Sequence, residues 1–363
     1  MVVASVPAAR AASEAVELAR AGCESDPLEG DVRDERDRPG PARSPERSFG
    51  SPWACIPASI REDPGGGWHT RAVRSGPGVA IRSTRVTIRR AIGPNGARRL
   101  RGWMLGARHL RPAFVIIGAA RSGTTHLLGQ LNAHPNVLPG PAEVHYFDTH
   151  RHTYGMGWYR TRFPTKAERA AVERRGVHPV VTGESSPSYL AHPNAPGRLA
   201  RALPDVRLLV LLRDPAARAA SHWAWCLRQC GETRSFREAV EAELGPPGDE
   251  RGLRIPAERR IGDPLVVRRG VYQPQLERWL THFPREQLHV IVSERWFRET
   301  DAMMTGVLEF LGLPMGIALP KTMRNRNKEH PPYDEEVLER LRDFYRPHNA
   351  RLAEFLDMEL GWA

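Results

Sequence analysis

Short apolar segments alternate with longer amphipathic ones over most of the chain after residue 110. Four of these segments are rich in β-branched residues, which predicts buried strands over 113–118, 179–184, 206–213 and 287–293. Apolar residues recur at helical spacing in 124–133, after Pro215, in 271–282 and in MMTGVLEFLGL and DEEVLERLRDFYRPHNARLAEFL. This alternation predicts an α/β fold in which helices flank a central parallel sheet.

The N-terminal part of the chain has a different pattern. Residues 1–105 are rich in Pro, Gly, Arg and acidic residues and show no sustained periodicity, except for a basic amphipathic stretch over 81–110. Such a composition buries too little apolar surface to offset the entropy lost on ordering. We therefore predict a largely disordered basic arm over 1–105 and a folded domain over 106–363.

Composition adds an uneven distribution of charge. The formal net charge is +11, and only 3 of the 53 basic residues are Lys. No acidic residue occurs between Asp63 and Glu143, an interval that contains 12 arginines. A basic block of this kind serves nucleic acid, an anionic lipid surface or an anionic cofactor, or it is a solvated arm without a partner. The charge pattern alone leaves these alternatives open.

Several classes of protein are disfavoured. No apolar run approaches the roughly 18 residues of a membrane-spanning helix, and the N-terminus lacks the pattern of a secretory signal. The four cysteines show no zinc-binding spacing, and the helical spacing of Cys226 and Cys230 disfavours a disulfide. We therefore expect a cytoplasmic protein, a reducing compartment and no structural metal.

The sharpest motif is Gly118-Ala-Ala-Arg-Ser-Gly123-Thr124-Thr125, between a predicted strand and a predicted helix. Glycines let the backbone turn tightly and direct its N–H groups at an anion, and the helix N-terminus favours negative charge. The spacing is that of a P-loop and predicts a P-loop-like three-layer fold. The alternative is an ordinary glycine-containing turn.

This loop departs from the loop of nucleoside triphosphatases. Those enzymes need Lys after the second glycine, where this chain has Thr124, and the only cation in the loop is Arg121. The strand over 206–213 ends in Arg213 rather than in a carboxylate suited to Mg²⁺. A nucleotide-dependent kinase or ATPase is therefore the second candidate, and a different phosphate-bearing donor is favoured.

Four segments, in order along the chain, together resemble one enzyme family. They are IIGAARSGTTHLLGQLNAHPNV, EVHYFD, GESSPSYL and VRLLVLLRDPAARAASHW. They are similar to PAPS-dependent sulfotransferases of the heparan-sulfate type and to bacterial sulfotransferase domains, over about residues 112–315. The resemblance implies transfer of the sulfuryl group of 3′-phosphoadenylyl sulfate (PAPS) to a hydroxyl or amine, with release of adenosine 3′,5′-bisphosphate (PAP). It implies that no metal ion is required.

The resemblance also implies which residues hold the donor. The residues around the 5′-phosphosulfate are Arg121, Ser122, Gly123, Thr124 and Thr125, with Arg121 at the position of a catalytic Lys. Arg213 and Ser221 are implied to bind the 3′-phosphate, and a guanidinium suits a phosphate through paired hydrogen bonds. A weaker match near the cofactor comprises Arg269, Gly270 and Tyr272, for which a plain loop before a helix is the alternative.

Two residues are candidates for the general base. Glu143 matches the catalytic carboxylate of the heparan-sulfate type and is the first acidic residue after the acid-free interval. Its alternative role is that of a structural partner of Arg121. His145, two residues later, is the alternative base, or else a histidine with a structural role. By resemblance, the catalytic residues are therefore Glu143, Arg121 and His145.

The match has gaps, and the acceptor is open. Many relatives have Lys where this chain has Ser185, and their late phosphate loop has only Arg324, Arg326 and Lys328 as candidates here. The resemblance implies a carbohydrate, lipid or small-molecule acceptor. The basic block lacks a nucleic-acid motif, which argues against nucleic acid as a partner. A peripheral contact of the arm with an anionic membrane is a further expectation.

Overall fold

The computed structural model describes residues 102–244, 265–317 and 333–362. Most of the predicted basic arm, including residues 81–101 of the amphipathic stretch, lies outside the described residues. So do the late candidates Arg324, Arg326 and Lys328.

Within these ranges, strands and helices alternate as the sequence predicts. The strands are β1 (Phe114–Gly118), β2 (Gly183–Ser185), β3 (Arg207–Leu212) and β4 (Leu288–Val292). The first helices are α1 (Thr124–Asn132), α2 (Met156–Arg160), α3 (Lys166–Glu173), α4 (Ala195–Ala202) and α5 (Pro215–Gln229). The later helices are α6 (Phe236–Leu244), α7 (Gln273–Leu280), α8 (Ser293–Arg298), α9 (Thr300–Leu311) and α10 (Glu335–Leu356). Short 3-10 helices cover His150–Tyr154, Arg268–Gly270 and Arg285–Gln287.

The four strands form one parallel sheet in the order β2-β1-β3-β4. Ile116 of β1 lies between Ser185 of β2 and Leu209 of β3. The carboxyl ends of all four strands therefore meet at one edge, which is the edge where open parallel sheets bind ligands. The predicted α/β fold with a central parallel sheet is confirmed.

Both faces of the sheet are covered. Alternate residues of a strand point to opposite faces, so Val115 and Val210 pack into one apolar cluster and Ile116 and Leu209 into another. All four side chains are fully buried. Burial of each contributes about 1.5–3 kcal/mol. The three-layer arrangement thus holds the loops at the carboxyl edge on a rigid support.

The second strand is shorter than the sequence predicts. It begins at Gly183 rather than at residue 179. The preceding stretch pairs elsewhere, since the Val181 N–H donates to Asn136 O and the Leu138 N–H donates to Val181 O. The β-branched residues before Gly183 therefore form a single bridge to residues 136–138, and only three residues join the sheet.

A short helical segment over 102–106 packs closely on α2. A Cβ atom added at Gly102 would lie 2.6 Å from Trp158 N, and one at Gly106 would lie 2.6 Å from Gly157 Cα. The two backbones therefore approach too closely for side chains at these glycines. Residues just before the predicted domain boundary thus contribute to packing beside α2.

Candidate active site

The loop between β1 and α1 has the shape of an anion-binding turn. Arg121 and Gly123 have φ angles of 74° and 96°, and Gly123 occupies the N-cap position of α1. A Cβ atom at Gly123 would lie 2.7 Å from Phe297 Cζ, so both conformation and space require glycine. Since glycine has no side chain to cap α1, the first turn of the helix suits an anionic ligand.

Ser122 has the properties of a ligand-binding hydroxyl. Its side chain is fully buried, and its Oγ has no hydrogen-bond partner in the described part of the chain. The Ser122 carbonyl is held by the hydroxyl of Ser293, which donates to it across 2.8 Å. An unpaired buried hydroxyl costs about 1–3 kcal/mol, so a phosphate or sulfate oxygen at this position would relieve the cost.

Arginines from two elements converge beside this loop. Arg121 Nε donates to Ser221 Oγ across 3.3 Å, and Arg213 Nη1 donates to the Arg121 carbonyl across 3.2 Å. Burial lowers the pKa of Arg121, and the positive charges of Arg228 and Arg213 lower it further. Among the described residues, none of these three arginines forms an ion pair with a carboxylate. Their mutual repulsion therefore favours a bound anion.

The acidic neighbour of Arg213 has another role. Asp214 Oδ1 accepts a hydrogen bond of 2.6 Å from Ala217 N and so caps α5. Arg213 therefore faces the loop, where its Nη1 donates to the Arg121 carbonyl.

The three residues of the weaker family match, Arg269, Gly270 and Tyr272, have different surroundings in the structure. The Tyr272 hydroxyl donates to the Arg213 carbonyl across 2.9 Å, so Tyr272 supports the loop from a buried position. A Cβ atom at Gly270 would lie 2.9 Å from Pro215 Cβ, at the start of α5. Arg269 is partly buried, and its Nε has no partner among the described residues. Burial and the charge of Arg218 lower the pKa of Arg269.

A second group of polar residues lies beyond β2. The Glu143 N–H donates to Ser185 O across 2.7 Å, and Ser185 pairs with Ile116 of β1. Glu143 thereby continues the sheet at its carboxyl edge, on the side where the phosphate loop follows β1. The predicted donor loop and the predicted base are thus brought to the same edge.

Glu143, His145 and Asp148 form a linear array. His145 Nε2 lies 2.7 Å from Glu143 Oε2, and His145 Nδ1 lies 2.9 Å from Asp148 Oδ2. Burial lowers the pKa of His145, but hydrogen bonds and charge attraction from Asp148 and Glu143 raise it to about 9. The imidazole is therefore protonated at neutral pH.

The three members of the array differ in exposure. The Asp148 and His145 side chains are buried, whereas the Glu143 side chain is 44% exposed. The Glu143 carboxylate forms an ion pair with His145, whereas the Arg121 guanidinium donates to the Ser221 hydroxyl. The structure thus does not show the alternative in which Glu143 pairs with Arg121. Glu143 is therefore the most exposed member of the array.

Two participants were not predicted. Asp148 follows His145 by three residues, and the Glu-x-His-x-x-Asp spacing is the signal that would have identified it. Ser188 lies 3.1 Å from His145 Nδ1 and donates to Asp148 Oδ2. Ser188 lies in the loop after β2, 43 residues after His145. No local sequence pattern connects the two residues.

The comparisons with known proteins decide the family. Residues 111–342 match the sulfotransferase domain family. The chain belongs to this family. It is 30% identical over 274 residues to heparan sulfate glucosamine 3-O-sulfotransferase 3B1 of Mus musculus, covering 69% of this chain and 65% of the relative. It is 28% identical over 275 residues to heparan sulfate glucosamine 3-O-sulfotransferase 5 of Homo sapiens, and this match covers 69% of this chain and 74% of the relative.

A solved structure supports the same assignment. The sulfotransferase from Alicyclobacillus acidocaldarius is 28% identical, with a TM-score of 0.51, and the match covers 69% of this chain and 98% of that one. The chain spans slightly less than two thirds of the length of the 3A1 and 3B1 relatives.

Among the described residues, no helix is both long and apolar enough to cross a membrane. Within the same ranges, no group of three or more His, Cys, Asp or Glu residues is arranged to hold a metal ion. Cys226 and Cys230 are not joined in a disulfide.

Proposed function

We propose that this protein transfers the sulfuryl group of PAPS to a hydroxyl or amine of a carbohydrate acceptor and releases PAP. Membership of the sulfotransferase family supports sulfuryl transfer. The observation that carries the choice of donor is the contact between Arg121 and Ser221, in a cluster of arginines without carboxylate partners among the described residues.

The two ends of the donor have different partners. The N–H groups at the start of α1, the Ser122 hydroxyl and Arg121 hold the 5′-phosphosulfate. Arg213 and Ser221 hold the 3′-phosphate, which distinguishes PAPS from ordinary adenine nucleotides. Tyr272 supports this arrangement through the Arg213 carbonyl. No contact in this set requires a metal ion.

The transfer is a single displacement at sulfur. The acceptor oxygen or nitrogen forms a bond to sulfur while the bond from sulfur to the bridging phosphate oxygen breaks, and PAP leaves with the electron pair. Arg121 and the loop N–H groups stabilise the negative charge that develops on the leaving phosphate. The acceptor proton passes to a carboxylate at the same edge of the sheet.

Glu143 is the better of the two candidate bases. His145 is protonated at neutral pH, because its pKa is raised to about 9, and a protonated imidazole accepts no proton. His145 Nε2 lies 2.7 Å from Glu143 Oε2, and this contact fixes the direction of the Glu143 carboxylate. His145 therefore orients the base, and Asp148 holds His145 from the other side.

The acceptor is assigned as a carbohydrate on two grounds. The relatives are named for heparan sulfate glucosamine. Partly exposed aromatic residues follow the catalytic array: Trp158 packs edge-on against Tyr154, and Arg162 lies over the Trp158 ring at 4.7 Å. Aromatic rings stack on sugars, and the nearby guanidinium suits an acidic sugar.

The proposal is tested by incubating the protein with PAPS and a set of acceptors, with a chelator present. The set contains unsulfated and partly sulfated glucosamine polysaccharides, a phenol and a lipid-linked sugar, and products are read by mass. Sulfate on a polysaccharide supports the proposal. Transfer confined to the phenol contradicts the acceptor class. Transfer of phosphate in a parallel incubation with ATP plus Mg²⁺, with no sulfate transferred from PAPS, contradicts the reaction.

A further inference from the structure

A buried carboxylate lies behind the catalytic array and has no part in the chemistry proposed above. Glu184 of β2 is fully buried. It accepts hydrogen bonds from three hydroxyls: Tyr159 at 2.6 Å, Ser186 at 2.8 Å and Tyr189 at 3.3 Å. In the described ranges it forms no ion pair. Burying a carboxylate without a positively charged partner costs free energy, so its presence at this position requires an explanation.

Two of these hydroxyls also contact the backbone of the array. Ser186 Oγ accepts from His145 N at 3.2 Å, and the Tyr189 hydroxyl accepts from Tyr146 N at 2.8 Å. An ionised carboxylate only accepts hydrogen bonds. Each hydroxyl must therefore give its one proton to Glu184 and present its lone pairs to the array. The charge of Glu184 thus orients both hydroxyls, so that their lone pairs face the N–H groups of His145 and Tyr146.

The backbone of the array needs this restraint. Glu143 has a φ of 54° and His145 a φ of 50°, which lie in the left-handed region that non-glycine residues rarely adopt. Such conformations cost about 1–3 kcal/mol each and persist only where surrounding contacts impose them. The hydrogen bond from His145 N to Ser186 lies within this strained segment.

We propose that Glu184 is a positioning residue for the base: as an anion it fixes the Ser186 and Tyr189 hydroxyls, which hold the backbone that carries Glu143 and His145. This inference rests on the proposed function. Loss of the Glu184 charge frees the hydroxyls to rotate and donate elsewhere, and the strained backbone relaxes. Glu143 then moves away from the acceptor while the donor loop on β1 and α1 keeps its geometry.

The charge of Glu184 depends on pH. Burial raises its pKa, hydrogen bonds from Tyr159 and Ser186 oppose the rise, and the resulting pKa is about 7. The groups that face it are Tyr159 from α2, Ser186 and Tyr189 from the loop after β2, and His145 and Asp148 from the array. A protonated Glu184 would itself be a donor and would compete with the hydroxyls. Glu184 therefore holds the backbone of the array in place above about pH 7, and this effect is lost as the pH falls below about 7.

The test uses the full chain and four variants: Glu184→Gln, Ser186→Ala, Tyr189→Phe and the matched control Tyr159→Phe. The control removes the Tyr159 hydroxyl, which donates to Glu184. Among the hydrogen bonds given above, this hydroxyl makes none to the backbone of the array. We expect Glu184→Gln to lower kcat by about tenfold to a hundredfold, as a displacement of about 1 Å does. Ser186→Ala and Tyr189→Phe lower kcat in the same way, whereas Tyr159→Phe lowers kcat by less than about threefold.

A purely structural role would not reproduce three further readouts. The affinity for PAP and the KM for PAPS stay within about twofold of the wild type, since the donor loop is untouched. The wild-type kcat falls on the acid side with an apparent pKa near 7, and this limb is absent in Glu184→Gln, which cannot ionise. Unfolding midpoints are measured in parallel for all variants.

The outcomes separate this inference from the proposed function. If the wild type transfers sulfate and Glu184→Gln keeps the wild-type kcat and its acid limb, the positioning role is wrong. If all four variants lose kcat, PAP affinity and stability together, Glu184 is only structural. If Glu184→Gln fails to fold, equal kcat values for Tyr189→Phe and Tyr159→Phe overturn the inference. A wild type that neither binds PAP nor transfers sulfate contradicts the proposed function itself.

Discussion

Arg121 Nε donates to Ser221 Oγ across 3.3 Å, a contact that joins the phosphate loop after β1 to the helix after β3. The two residues are 100 positions apart in the chain. Their strands are neighbours in a parallel sheet, so the loops at the carboxyl ends converge. The contact brings the residues proposed for the 5′-phosphosulfate against those proposed for the 3′-phosphate, as one donor molecule requires.

Recognition of the 3′-phosphate is tested by Arg213→Ala. Hydrogen bonds to charged groups contribute about 1.5–3 kcal/mol, so the affinity for PAP falls about tenfold to a hundredfold. The affinity for ADP, which has no 3′-phosphate, changes little. Isothermal calorimetry with both nucleotides measures the two affinities. The matched control is Arg207→Ala, at the exposed amino end of the same strand. An equal loss for PAP and ADP would show that Arg213 does not read the 3′-phosphate.

The role of the base is tested by Glu143→Gln. A positioned general base contributes about 10²–10⁴-fold, so kcat falls by that factor while the affinity for PAP is unchanged. The control is Glu309→Gln on an exposed position of α9, which leaves kcat unaltered. If Glu143→Gln instead abolishes PAP binding, Glu143 has a structural role.

The pH dependence of stability follows from His145. Its folded pKa of about 9 lies above the ordinary value of 6.5, so the protonated form stabilises the fold. This contribution is complete below about pH 6.5 and is lost as the pH rises through about 9. Urea unfolding of the wild type and His145→Gln from pH 6 to 10 measures it. The difference in unfolding free energy between them shrinks over this interval; a difference that is constant or grows contradicts the assigned charge.

The fold and the turn after β1 could be predicted, because each depends on a contiguous segment of the sequence. The buried strand at 113–118 and the glycine spacing after it depend on local periodicity and turn chemistry alone. The predicted start of β2 was wrong, because Val181 forms its backbone hydrogen bonds with Asn136 and Leu138 instead of with a strand of the sheet. The contact of Glu184 with Tyr159 escaped prediction, because the two residues are 25 positions apart and meet only after α2 packs against β2.

The N-terminal arm is predicted to be dispensable for donor binding. Every residue proposed to bind PAPS lies at Arg121 or later, and the packing of Gly102 and Gly106 on α2 begins after residue 101. A chain lacking residues 1–101 therefore keeps its affinity for PAP, measured by calorimetry against the full chain. Loss of PAP binding by the shortened chain contradicts this prediction. Sedimentation of both proteins with anionic vesicles tests the membrane contact expected of the arm.

The arginine cluster beside the loop after β1 is proposed to bind the PAP moiety of the donor without a metal ion. The most direct measurement is the shift of the unfolding midpoint on titration with PAP in the presence of a chelator, compared with ATP plus Mg²⁺. We predict a saturable rise with PAP alone and a much smaller one with ATP plus Mg²⁺. Stabilisation by ATP plus Mg²⁺ with no response to PAP would contradict the claim.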